Sequence, residues 1–247
     1  MTLLAVAAIG LGVGFLSGLL GKGGSAIASP LLHLAGVPAL VALAAPLPAT
    51  IPSTMAAGSA YARRGFVDWR TVRWTVAVGV PATIAGAIAT RWIDGSSLIA
   101  ATDVVLIALG VRLVLRRHVS EVAAADTLTT TTSRIVFVAL GVGLASGLLA
   151  NSGGFLLAPL YLAVLHRPIK AALATSLAAA SMLAIPGAVV HTALGHVDWR
   201  IVGVLAVTSV PLSFLGARVG LRTDAQRLER GYGVALATLG TVFLVLL

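Results

Sequence analysis

Apolar positions run along this chain in long blocks without alternation, roughly 2–20, 24–36, 39–62, 71–91 and 97–115, then 134–150, 153–165, 170–193, 200–221 and 229–247. Unbroken Ala/Leu/Val/Gly runs of this kind predict membrane helices, because a transmembrane barrel would show short segments alternating polar and apolar positions. Two blocks, 24–36 and 153–165, hold only 13 residues each. As helices they reach about 20 Å against a hydrocarbon core of about 30 Å, so they are predicted to be half-crossings that turn back.

The order of blocks occurs twice. GLLGKGGSAIASPLL from Gly18 aligns without a gap to GLLANSGGFLLAPLY from Gly147, pairing Gly24 with Gly153 and Pro30 with Pro159. Asp68-Trp69-Arg70 returns as Asp198-Trp199-Arg200, Pro81 as Pro211 and Gly86-Ala87 as Gly216-Ala217. A period of about 130 residues is too long for a solenoid unit and suits the internally duplicated bundles of secondary transporters. The predicted fold is an all-α polytopic membrane protein with a first repeat over 1–117, a cytoplasmic linker over 118–133 and a second repeat over 134–247. Each repeat is read as a short helical hairpin followed by three transmembrane helices. Gly10, Gly14 and Gly18, matched by Ala139, Gly143 and Gly147, give the first helix of each repeat a stripe of small residues for close helix packing. Pro46, Pro48 and Pro52 in the first long helix, and Pro186 in its partner, are expected to break those helices.

Charge then decides the threading. If each first pair of blocks is a hairpin, one face collects Arg63, Arg64, Arg70, Arg73, Arg112, Arg116, Arg117, Arg134, Arg167, Lys170, Arg218, Arg222, Arg227 and Arg230, and the other keeps Arg91 and Arg200. A net crossing by each pair would split them about evenly. The positive-inside rule selects the hairpins, with the rich face cytoplasmic, and an odd number of crossings then sets the second repeat inverted to the first. The net charge of +9 is explained by these segment ends and anionic headgroups, so no nucleic-acid partner is expected. No cleavable signal is evident, and the absence of cysteine excludes disulfides and thiolate metal sites. A mean hydropathy of +1.03 with 10% charged residues agrees with a multi-pass protein of a bacterial inner membrane.

Chemistry concentrates at the hairpin tips. Gly21-Lys22-Gly23-Gly24-Ser25 and Asn151-Ser152-Gly153-Gly154 fall between apolar segments, where irregular backbone must be buried in protein or line a wet cavity. NH groups at the start of each short helix suit an anion, and an intramembrane lysine needs a counter-charge. Lys22, Gly23, Gly24, Ser25, Asn151, Ser152, Gly153 and Gly154 are therefore the predicted substrate-binding residues, with Thr175 and Ser176 following the second hairpin. Hydroxyls after each hairpin, among them Thr50, Ser53, Thr54 and Ser181, are read either as bonds to helix carbonyls or as the lining of a polar path. Asp103 is the candidate carrier of a coupling proton. His33 and His191 stand isolated, no His/Asp/Glu cluster supports a metal site, and the two Asp-Trp-Arg sequences are read as helix caps with interfacial Trp.

The twice-occurring Gly-Leu-Leu, Gly-Gly and downstream Pro pattern, the Ala174–Leu177 Ala-Thr-Ser-Leu and the Gly-x-Val-Asp-Trp-Arg at Gly65–Arg70 and Gly195–Arg200 resemble the sulfite exporter TauE/SafE family, also called the toluene sulfonate uptake permeases. The resemblance covers nearly the whole chain. It implies an inner-membrane permease for small anions such as sulfite, sulfonates or related organosulfur acids; no cofactor is expected, and whether a proton or sodium ion drives it is left open. Lys22 and Ser25 depart from the pattern of relatives at the presumed site. A passive anion channel, or a permease for a non-sulfur organic anion, is the alternative. An enzyme ranks last, because the chain has no catalytic constellation, and its oligomeric state is left open.

Overall fold

The computed structural model describes residues 2–21, 24–93 and 132–228, and helical positions 97, 104, 108, 230, 231, 234, 238 and 241. Lys22, Gly23, Asp103, most of the 118–133 linker and most of the blocks at 97–115 and 229–247 lie outside the described residues. Among the described residues every regular element is helical. The helices are α1 (Leu3–Leu20), α2 (Ser25–Leu34), α3 (Ala39–Ala44), α4 (Pro46–Ala62), α5 (Trp69–Ala89), α6 (Thr132–Leu148), α7 (Gly154–Ala163), α8 (Ile169–Ala193) and α9 (Trp199–Arg222). Five stretches among them are long and apolar enough to cross a membrane: Leu3–Leu20, Ala39–Ala62, Trp69–Trp92, Ile169–Ala193 and Trp199–Arg222. The two short blocks became α2 and α7, of 10 residues each, about 15 Å of helix.

The prolines act differently in the two halves. Pro46, with no NH to donate, separates α3 from α4 at Ala45. Pro186, expected to break its helix, sits inside a continuous α8 of 25 residues. Packed neighbours carry α8 through the one missing bond, and in the first half only Pro46 falls at a break, since Pro48 and Pro52, also expected to break the helix, lie inside continuous α4.

Small residues set the packing. A Cβ on Gly14 would meet the backbone of Ser209, and one on Gly18 would overlap the carbonyl of Ser213. α1 therefore lies backbone to backbone against α9, and the two run parallel, since rising positions on one meet rising positions on the other. The corresponding glycines of α6 do the same against α5, Gly143 meeting Gly79 and Gly147 overlapping the carbonyl of Thr83. Each repeat thus lends its first helix to the last described helix of the other. α4 runs parallel to α9, with the Ser213 hydroxyl donating to Ser53 O at 2.8 Å and Tyr61 lying against Gly220. α8 runs parallel to α5, with Leu183 at Gly79 and Gly187 at Thr83. α4 and α8 are antiparallel, Gly58 facing Leu177 and Leu47 facing Gly187.

These directions gather the chain's charges. At one end Arg70 donates to Thr132 Oγ1 at 3.1 Å, Lys170 to the Leu221 carbonyl at 3.2 Å, and Arg167 pairs with Asp68. This is the arginine-rich end. The opposite, arginine-poor end holds the 35–38 and 194–198 connections. Asp68 and Asp198 cap α5 and α9 as expected, each accepting from the backbone NH groups two and three residues on, and Trp69 and Trp199 are exposed beside them.

Candidate functional site

The two short helices begin at the same place. α1 ends at Gly21, whose φ of 63° places it in the left-handed region, and α2 starts at Ser25. In the second half the equivalent turn is made by Ala150 at φ 45° and Gly153 at φ 71°. The Asn151 side chain closes that turn, its Oδ1 accepting from Gly153 N at 2.7 Å, while Ser146 Oγ donates to Asn151 O at 2.5 Å. The starts of the short helices then touch: Ser152 N donates to Ser25 Oγ at 3.1 Å, across 127 residues of sequence. Helix geometry leaves the first NH groups of α2 and α7 without intrahelical partners, although Ile27 N and Leu156 N already reach the carbonyls of Gly24 and Gly153, so two positive helix ends converge here.

Ser25, Asn151, Ser152, Gly24, Gly153 and Gly154 are all buried at this junction. The Asn151 amide nitrogen and the Ser152 hydroxyl are buried with no hydrogen-bond partner. Leaving a buried donor unmade costs about 1–3 kcal/mol, so two at one spot mark a place that an acceptor would satisfy. Ser176 reaches the first tip, donating to Gly21 O at 2.6 Å. Thr175 does not. Its Oγ1 accepts from Asp68 N at 3.0 Å, which ties it to the α4–α5 connection. Thr50, Ser53, Thr54 and Ser181 all donate to carbonyls three or four residues back in their own helices, which is the backbone-bonding role open to such hydroxyls.

The two ends of the bundle differ. At the arginine-rich end, Asp68 receives Arg167 and the Thr71 hydroxyl, the latter at 2.7 Å. Burial pushes this carboxyl up, but the hydrogen bonds from Thr71 and the Arg167 charge outweigh it and hold Asp68 below the usual carboxylate range. At the arginine-poor end the residue aligned with Arg167 is Val37. There a cavity of about 820 Å³ opens, lined by Val37, Val41, Asp198, Trp199, Arg200 and Ile201 among others.

Three contacts escaped sequence reasoning. The Asp68–Arg167 pair and the Ser25–Ser152 bond join residues about 99 and 127 apart, and neither has a local signal. The repeat alignment does carry one for the first, because it sets Arg167 against Val37. The third is His191, which faces His196 with Nδ1 atoms 3.2 Å apart; burial pushes the His196 imidazole below its ordinary value.

A bundle with two short helical hairpins whose starts meet, surrounded by long apolar helices, is a multi-pass membrane protein built in two similar halves. The family model for "Sulfite exporter TauE/SafE" matches residues 6–243, and the chain belongs to that family. A "Probable membrane transporter protein" of Xylella fastidiosa (strain Temecula1) is 36% identical over 116 residues, which take in 45% of this chain and 44% of the relative. The "Probable membrane transporter protein YunE" of Bacillus subtilis (strain 168) is 24% identical over 243 residues, 89% of this chain and 88% of the relative. The alignment with the Xylella relative thus spans under half of that protein's length. No solved structure matches the chain significantly.

Proposed function

We propose that the protein is a permease for small anions, sulfite, sulfonates or related organosulfur acids, and that it alternates access around the junction of the α2 and α7 starts. The observation that carries this reading is the Ser152–Ser25 bond beside two buried, unsatisfied donors, Asn151 Nδ2 and Ser152 Oγ. Together with the two converging helix ends, they form a donor-rich cluster that suits an oxyanion. Lys22 joins on the sequence argument alone, as the charge beside the first tip. Asp103 is kept, on the same footing, as the candidate for proton coupling.

Inverted repeats support alternating access. α1, α4 and α9 run one way and α5, α6 and α8 the other, so each long helix is antiparallel to its counterpart: α1 to α6, α4 to α8, α5 to α9. That is the relation expected of two halves exchanged about an axis in the membrane plane. The arginine-rich end is read as cytoplasmic. Single cysteines in place of Arg64 and Ala193 test this, since both positions are exposed. An impermeant thiol reagent should reach Arg64→Cys from the cytoplasm and Ala193→Cys from outside, and labelling of both from one side defeats the topology.

Uptake by liposomes across sulfite, sulfate, thiosulfate, sulfonates and carboxylates tests the function. Accumulation driven by an imposed proton or sodium gradient is expected, and downhill flux alone would make the protein a channel. Lys22→Ala should weaken anion binding about ten- to a hundred-fold, the worth of one hydrogen bond to a charged group. Asn151→Ala should weaken it further, without loss of folded protein.

A further inference from the structure

Below the cavity at the arginine-poor end lies a second, small void between α1, α2, α4 and α9. It has room for about one water, roughly 10 Å³, and Ser17, Thr50, Ser53 and Ser209 line it together with Gly14 and Gly24. Gly24 belongs to the first hairpin tip. The lining residues follow one another along each helix: Leu3 of α1 and Ile201 of α9 border the large cavity, and Gly10 and Leu205 the void. Between the two spaces sits an apolar cluster in which Val6, Leu32, Ala45, Ile201 and Leu205 are buried together.

The second half differs at this level. The position aligned with Ser53 is Leu183, and its side chain occupies the equivalent space between α5 and the second tip. A Cβ on Gly79 would lie 2.8 Å from Leu183 Cδ2, and one on Gly153 would lie 3.5 Å from Cδ1. Gly79 aligns with Ser209, and Gly153 with Gly24. The same frame is thus lined by hydroxyls in one half and plugged by a leucine in the other.

We infer that the α1–α4–α9 groove is the route by which an anion passes between the arginine-poor face and the hairpin tips. Ser53 and Ser209 are its hydroxyl contacts, the Val6–Ile201–Leu205 cluster is its gate, and Leu183 is the plug that denies the mirror route. Ser53 donates to Thr50 O as the groove stands; when the helices part, its hydroxyl and that of Ser209 can turn to an oxyanion and offer neutral hydrogen bonds without trapping it with a full charge. The apolar cluster excludes water until the helices part. This inference rests on the permease reading for its cargo, but the groove can be tested without measuring transport.

The native chain has no cysteine, so Ser53→Cys, Ser209→Cys and Leu183→Cys can each be probed with a small anionic reagent, the ethylsulfonate methanethiosulfonate, applied to either face of sealed proteoliposomes. Ser53→Cys and Ser209→Cys should react from the arginine-poor face at least tenfold faster than Leu183→Cys reacts from either face. Leu205→Ala should speed the reaction at Ser53→Cys by opening the gate, and ethanesulfonate should slow it. Reaction at Ser53→Cys no faster than at Leu183→Cys, or only from the arginine-rich face, overturns the route. Serine to cysteine is nearly isosteric, and Ala193→Cys reports whether the protein is intact and accessible. If the labelling pattern holds while wild-type liposomes take up none of the anions, the route stands and the permease reading falls. If uptake is normal and the pattern fails, the reverse is true. Where both hold, Ser53→Leu should cut uptake tenfold or more.

Discussion

The two halves of this protein share a frame and differ in what fills it. In both, a glycine-striped first helix lies backbone to backbone on a helix of the other half, Gly18 on Ser213 and Gly147 on Thr83. In both, an aspartate caps the helix after the long crossing. The fillings then diverge: Arg167 against Val37, Leu183 against Ser53, Ala150 against Gly21. The outcome is an ion pair at one end and a cavity of about 820 Å³ at the other. Similar helix packing therefore recurs in the two halves, and single side chains set what differs between the two ends.

The largest expected effect tests what the halves share. Gly18→Leu and Gly147→Leu drive a side chain into a neighbouring helix backbone that cannot step aside, so each should cost more than about 3 kcal/mol and abolish monodisperse protein. Gly12→Ala and Gly141→Ala, where a Cβ meets open space, should leave thermal stability equal or higher. Survival of one glycine replacement and not the other would show that the frame is less alike than its contacts.

A smaller effect tests the difference. Arg167 and Asp68 keep side-chain exposures of only 18% and 24%, so Arg167→Ala strands a mostly buried carboxylate and should destabilise by about 1–3 kcal/mol, less than for a fully buried pair. Val37→Arg, placed opposite Asp198, should by contrast create a pair at the open end and narrow its cavity. Thermal unfolding read with a double-mutant cycle on Asp68 and Arg167 isolates the coupling.

The two caps sharpen the same point. Asp198→Ala should cost about 1 kcal/mol, the worth of a cap alone, and Asp68→Ala visibly more. The Asp68 carboxyl is held below its ordinary range in the folded protein, so its extra stability is present above the unfolded value and is lost as pH falls through the lowered one. Unfolding midpoints of wild type and Asp68→Asn should accordingly converge on acidification from about pH 7 to about pH 3. A constant gap between them would mean that Asp68 acts through its shape and not its charge.

The smallest effect concerns the tips. Ala150 holds φ 45° where Gly21 holds 63°, and a residue with a Cβ in this region carries strain of about 1 kcal/mol. Ala150→Gly should be neutral or stabilise by up to about that amount, after the entropy that glycine adds to the unfolded chain. A clear loss would indicate that the Ala150 methyl packs in a way Gly21 has no need of.

Much of this was legible before any coordinates. The helical class, the two short helices, the glycine stripes, the aspartate caps and the gathering of arginines at one end all follow from periodicity, run length and charge, which are local or additive properties of a chain. Hydroxyl roles were only half legible, because a serine's partner depends on what packs beside it. Ser176 reaches Gly21, whereas its neighbour Thr175, one step round the helix, turns to Asp68. Pro186 misled for a related reason: a proline's cost is local, but whether the helix breaks is decided by the neighbours that hold it.

By itself, then, the amino-acid order determined that this is an all-helical, multi-pass membrane protein whose motifs occur twice. Only the tertiary structure decided that the Ser25 and Ser152 starts meet, that Arg167 closes on Asp68, and that Leu183 fills a space left open beside Ser53. Those facts depend on residues about 99 to 127 positions apart being brought within a few ångströms, and no local pattern encodes a distance of that kind. The chain's own repetition comes nearest to doing so, since two aligned halves show in advance which positions will face equivalent surroundings and which side chains differ there.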